Sequence, residues 1–193
     1  MTVGVYPGSF SPLTIAHLAV ADAARAHLGL DRLDLAISRD ALGKPDLAMS
    51  GVTGSAIEER IRVVRRAFGD RSWLDVVVVE ARLIVDIARG YDAVVMGADK
   101  WAQVNDPAWY GGDPTARDAA LAALPTVAVA PRAGVVVPGS IALPVPAHID
   151  EVSSSAVRAG RTEWAARPPS RRSGPTDASP TGGSPTEGCP TEG

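Results

Sequence analysis

The sequence predicts an α/β fold in which a parallel sheet is covered by helices on both faces. Three observations lead there. Strand-like and helix-like segments alternate over the first 167 residues. The strand-like segments are continuous apolar, β-branched runs rather than alternating patterns, as strands buried on both faces are. At 193 residues, 46% hydrophobic and 21% charged, the chain is also long enough to bury one proper core.

Taken in order, Thr2 to Tyr6 reads as a short strand ending at the Pro7-Gly8 turn. Ile15 to Leu28 is alanine-rich and helical, with Gly29 placed as its stop. Leu33 to Ile37 reads as a second strand, and a loop with Gly43, Pro45, Gly51 and Gly54 follows. Ser55-Ala56-Ile57-Glu58 has the form of a capping box, after which Ile57, Ile61, Val64 and Phe68 repeat at helical spacing. Trp73 to Val79 is an apolar strand, residues 81–89 are helix-like, and Ala93 to Met96 is a buried strand ending in Gly97. Pro114 to Leu124 predicts a helix, Thr126 to Ala130 a strand, and Ser155 to Ala166 the last helix. Ligands of a parallel sheet gather at the carboxyl ends of its strands. Here those ends are the loops after Tyr6, Ile37, Met96 and Ala130.

From Pro168 the composition changes to near-repeats of five residues built on Pro-Thr. Without aliphatic or aromatic side chains that could build a core, residues 168–193 are expected to be a disordered tail, which leaves one domain over residues 1–167. Cys189, the single cysteine, falls in that tail, so neither a disulfide framework nor a thiolate zinc site is available. His17, His27 and His148 show no paired metal-ligand spacing. A net charge of −3 provides no long-range attraction for nucleic acid or an anionic membrane, so any anion site must be local. No leader-like or membrane-spanning stretch is visible, and a reducing cytoplasm is the expected setting.

Two stretches carry the chemistry. Gly8-Ser9-Phe10-Ser11-Pro12-Leu13-Thr14-Ile15-Ala16-His17 follows the first strand and runs into a helix, with His17 in its first turn. Val152-Ser153-Ser154-Ser155-Ala156-Val157-Arg158 opens another helix with three hydroxyls and an arginine. Helix N-termini attract anions through unpaired N–H groups and the macrodipole. Three serines before a helix are commonly only an N-cap, and a lone histidine there is commonly a surface residue. Two such ends on one small α/β chain point instead to phosphate.

The pair resembles the two signatures of the nucleotidyltransferase superfamily, Gly-x-Phe-x-Pro with Thr-x-x-His, and Ile-Ser-Ser-Thr-x-x-Arg. The resemblance implies the Rossmann-like, HUP-type arrangement of that superfamily. It also implies transfer of a nucleotide, AMP from ATP by preference, to a phosphate-bearing acceptor with release of pyrophosphate. His17, Thr14 and Arg158 would be catalytic. Gly8, Ser9, Phe10, His17, Lys44, Gly97, Asp99, Ser154, Ser155 and Arg158 would hold the nucleotide. Mg²⁺ is expected through the nucleotide phosphates rather than a protein cage. The partners implied are ATP and a small phosphorylated acceptor, without nucleic acid or membrane; a homo-oligomer is compatible with the sequence.

Gly97-Ala98-Asp99, the short helix around Ala102-Gln103, Trp109, and Arg132 before Ala133-Gly134 resemble the nicotinate and nicotinamide mononucleotide adenylyltransferases. By that resemblance Trp109 and Arg132 would bind a pyridine acceptor. Core packing for Trp109, an N-cap for Asp99 and a surface role for Arg132 are the structural alternatives. Ala16 stands where the family has glycine, Ser11 replaces a frequent aspartate, and residues 38–54 lack the Pro-His-Lys sequence of the pyridine-nucleotide enzymes. Phosphopantetheine adenylylation, cytidylyl transfer and non-catalytic nucleotide binding are the rival functions.

Overall fold

The computed structural model describes residues 1–39, 54–132 and 137–168. Lys44 and residues 169–193, nearly all of the expected tail, lie outside them. The strands are β1 Val3–Pro7, β2 Arg32–Ser38, β3 Leu74–Val79, β4 Ala93–Gly97, β5 Thr126–Ala130 and β6 Ile141–Ala142. They form one sheet in the order β3-β2-β1-β4-β5-β6, with every neighbouring pair parallel. The order reverses direction between β1 and β4, the switch point at which such sheets open a crevice.

Both faces of the sheet are buried, which explains the unbroken apolar strands. On β2, Leu33, Leu35 and Ile37 join a core that α1 Ile15–Leu28 and α2 Gly54–Arg66 cover through Leu18, Val20, Ile57 and Val64. Ala36, Val5, Val94, Met96 and Val129 face the other way, toward α3 Ile84–Ile87 and α4 Ala98–Asn105. α5 Pro114–Ala122 adds Leu121 to that second layer. Among the described residues, no helix is long and apolar enough to cross a membrane.

Most elements match their sequence signals. α1 ends where Gly29 adopts φ 62°, and its backbone N–H bonds Arg25. Four expectations need correction. α2 includes Ser55, so the expected cap falls inside the helix; the helix stops at Arg66, and buried Phe68 sits in the turn before Gly69 at φ 68°. The segment 81–89 keeps only the single turn α3, whose N-cap Leu83 makes no side-chain cap bond. The last helix, α6, runs only over Ser154–Arg158. Gly160 at φ 113° breaks it, and a 3₁₀ turn at Thr162–Trp164 follows. β6 and the 3₁₀ turns at Pro107–Tyr110 and Ala147–Ile149 had no sequence expectation.

One buried polar group fixes the second face. Asp34 on β2 is fully buried, accepts from Arg32 at 2.8 Å and from the Tyr91 hydroxyl at 3.0 Å. Burial, together with the Asp34 charge, pushes the Tyr91 hydroxyl from its ordinary 10 up to about 12. Burial raises Tyr6 as well. A raised tyrosine favours the folded state below its unfolded value and loses that contribution as pH rises through the folded value. The urea midpoint should therefore hold up to about pH 10 and fall between there and about pH 12. A midpoint unchanged across that window would show that neither phenol is kept neutral by the fold.

Candidate active site

The turn after β1 is built on a close backbone contact. A Cβ placed on Gly8 would come within 2.6 Å of the Phe10 ring, which is itself buried beneath the loop. Phe10 holds φ 45°, a left-handed conformation that few residues with a side chain adopt. Gly8 thus lets the Phe10 ring lie against the backbone, while the Gly8 N–H donates to the Ala36 carbonyl at 3.0 Å. Behind the loop, Tyr6 and Phe10 meet edge to face at 5.3 Å, and Phe10 and His17 at 5.1 Å.

The spacing Thr14-x-x-His17 is a capping box with histidine in the place usually held by glutamate. The His17 N–H bonds the Thr14 hydroxyl at 3.4 Å, and the Thr14 N–H donates to His17 Nδ1 at 3.0 Å. The Thr14 hydroxyl lies 2.8 Å from the same nitrogen, and Thr14 is fully buried. Because Nδ1 accepts a backbone N–H, the neutral ring carries its proton on Nε2. One helix cap therefore sets both the orientation and the tautomer of His17.

The second motif locks onto the first across more than 140 residues. Ser154 Oγ donates to the Pro12 carbonyl at 2.9 Å. Arg158 donates to the Ser11 carbonyl and to Ser155 Oγ, the latter at 3.0 Å. Ser153 is the true N-cap of α6, accepting from the Ala156 N–H at 3.1 Å. The segment beyond closes over the same loop. Thr14 bridges Ala165 in antiparallel fashion, and the Ala166 N–H donates to the Leu13 carbonyl at 2.9 Å. Trp164 packs against the core with the Arg161 guanidinium 5.0 Å above its ring.

Two clefts open at the carboxyl edge of the sheet. One, about 520 Å³, is lined by His17, Thr14, Ala16, Gly97, Asp99 and Arg132, among others. The other, about 680 Å³, is lined by Gly8, Ser9, Ser38, Arg82, Lys100 and Trp109, among others. Trp109 and Arg132, expected together on the acceptor, thus line different clefts. Arg132 stands with His17, pairs with Asp99 at 3.0 Å and donates to the Asp150 carbonyl at 3.1 Å. Asp99 lies in the first turn of α4, where Gly97 is the N-cap, so the capping alternative for Asp99 does not hold. Lys44, the remaining expected triphosphate contact, lies outside the described residues. Among the described residues, no three His, Cys, Asp or Glu side chains gather as a metal cage.

Arg60 is a site residue that sequence reasoning missed. From α2 its guanidinium donates to the Ser9 carbonyl, and partial burial lowers its pKa from the usual value. A cation set between the buried Ile57 and Val64, beside Ile61, was the signal that could have found it.

A cytidylyltransferase-like family model matches residues 5–160, which contain both motifs and five of the six strands in full. The chain belongs to the cytidylyltransferase-like family. It therefore falls in the nucleotidyltransferase superfamily, and the two loops tied together above both lie within the matched residues. The phosphopantetheine adenylyltransferase of Rhizorhabdus wittichii is 29% identical over 96 residues. The matched stretch covers 50% of this chain and about half, 52%, of that relative.

Proposed function

We propose that this cytidylyltransferase-like protein transfers AMP from ATP to a small phosphate-bearing acceptor, nicotinate or nicotinamide mononucleotide first among them. One observation carries the reading. Ser154 and Arg158 bond the carbonyls of Pro12 and Ser11, so a phosphate-type hydroxyl and guanidinium stand within one loop of a tautomer-fixed His17.

An acceptor phosphate oxygen attacks the α-phosphorus, the bond to the bridging oxygen of the β-phosphate breaks, and pyrophosphate leaves. No covalent protein intermediate is needed; the protein positions two polyanions and neutralises developing charge. His17 donates from Nε2 to a non-bridging α-phosphate oxygen. Arg158, Ser154 and Ser155 take the β- and γ-phosphates, exchanging loop carbonyls for phosphate oxygens. Arg132 and Asp99 flank the nucleoside in the cleft that His17 lines. The cleft lined by Trp109 receives the acceptor. Mg²⁺ would screen the triphosphate charge when bound, with phosphate oxygens and water as its ligands.

Phosphopantetheine is the second reading for the acceptor, favoured by the named activity of the Rhizorhabdus wittichii relative. The test is pyrophosphate release with Mg²⁺, using ATP and CTP each against nicotinate mononucleotide, nicotinamide mononucleotide and phosphopantetheine. Release with ATP and a pyridine mononucleotide is expected. Release only with phosphopantetheine moves the acceptor to the second reading. ATP binding without release on any of the three rejects these acceptors and leaves another acceptor or non-catalytic nucleotide binding.

A further inference from the structure

The loop between β1 and α1 is held by its carbonyls. Those of Ser11 and Pro12 accept from Arg158 and Ser154, and that of Leu13 accepts from the Ala166 N–H at 2.9 Å. These donors all come from residues 154–166. The Ser9 carbonyl is held from elsewhere, by the Arg60 guanidinium of α2. Arg62 and Arg65 on the same helix pair with the carboxylates of Glu59 and Asp75. Arg60 has no carboxylate partner among the described residues. Half-buried, it directs its charge at a peptide carbonyl instead.

The peptide bond between Ser9 and Phe10 is trans, so its C=O and N–H point in opposite directions. With the Ser9 carbonyl drawn to α2, the Phe10 N–H is turned away from that helix. α3 and α4 lie across the sheet from α2, and the cleft that Gly8 and Ser9 line is walled there by Ile84, Ile87 and Val104. Phe10 is only 2% exposed, yet among the described residues its N–H has no hydrogen-bond partner. Buried backbone N–H groups are rarely left so. Phe10 also holds φ 45°, a conformation that persists where its surroundings impose it. A charged donor on the carbonyl polarises the amide and strengthens the N–H at its other end.

We propose that Arg60 is a positioning residue for this loop: through the Ser9 carbonyl it fixes and polarises the Ser9–Phe10 peptide, so that the Phe10 N–H meets an anionic phosphate oxygen. In the proposed reaction Ser154 and Arg158 give up the Pro12 and Ser11 carbonyls for phosphate, which leaves Arg60 in place on the loop. The proposal rests on nucleotide binding at this loop, and neither on transfer nor on the acceptor.

The chain has two phenylalanines, Phe10 and Phe68, so ¹⁵N-labelled phenylalanine yields two backbone amide signals, told apart by a Phe68→Leu variant. Phe68 is an internal control, its N–H donating to the Arg65 carbonyl at 3.1 Å. The experiment titrates the full chain with ATP and Mg²⁺, without acceptor, and follows both signals beside calorimetry. In the wild type, ATP should move the Phe10 signal downfield and leave that of Phe68 in place. Arg60→Met keeps the apolar stem but removes the donor and its charge. It should move the Phe10 signal upfield before ATP is added and weaken ATP binding about 10-fold, as expected for one charge-assisted hydrogen bond. Arg60→Lys restores a charged donor and should recover most of both effects. A methionine variant with unchanged signal and affinity, or a lysine variant no better than methionine, would overturn the proposal in favour of a packing role. ATP bound with the Phe10 signal unmoved would reject the donor role alone. No ATP binding at all would reject the nucleotide reading and the donor role together. The wild-type titration and the lysine variant decide the matter even if the methionine variant folds poorly.

Discussion

His17→Ala should lower kcat by about 10²–10³-fold, the cost typical of removing one preorganised donor to a developing oxyanion. The Nε2–H that faces the α-phosphate in the proposed reaction disappears, and nothing else in the capping box replaces it. The fold should survive. The substitution breaks half of the α1 cap, a loss on the order of 1 kcal/mol, while the Thr14 hydroxyl still caps the helix from the other side. Steady-state kinetics and a thermal melt on the same preparation separate the two effects. Near-normal turnover in a well-folded variant would remove His17 from the mechanism.

Arg158→Ala should reduce kcat/KM for ATP by about 10²-fold, equivalent to roughly 2.7 kcal/mol of lost charge-assisted contact. Arg158 lies on the exposed end of α6 but also fastens the Ser11 carbonyl, so a thermal melt on the same variant separates lost binding from a loosened loop. Its two donor contacts, to the Ser11 carbonyl and to Ser155, mark a forked geometry that lysine does not reproduce. Arg158→Lys should therefore recover only part of the loss. Full recovery by lysine would mean that a point charge suffices, and an unaffected alanine variant would leave triphosphate binding to other groups.

Much of this architecture was legible because it rests on local rules. Gly29 announces the end of α1 through the conformation only glycine adopts cheaply, and Thr126 to Ala130 is a strand because nothing interrupts its apolar run. The two signatures were legible because short spacings encode helix caps. Other features depend on contacts that no local window contains. The truncation of α6 comes at Gly160, and the chain beyond it pairs Ala165 with Thr14, 151 residues earlier. The separation of Trp109 from Arg132 follows from their rising on opposite sides of the sheet, the first beyond α4 and the second beyond β5. Arg60 was hidden because its partner is a backbone carbonyl 51 residues away, and carbonyls leave no trace in the letters of a sequence.

The bridge from Thr14 to Ala165 has a consequence for biosynthesis. A ribosome makes the histidine loop more than 140 residues before its fastening. Until residues 154–166 have emerged, the nascent chain has His17 but lacks Ser154, Arg158 and Ala165, which hold its loop. Pairings of such long sequence separation form slowly, because much of the chain must be ordered first. A prematurely ended chain would thus hold the first strands and helix of the sheet without a fastened histidine loop. The proposed triphosphate site is then complete only once residues 154–166 have docked.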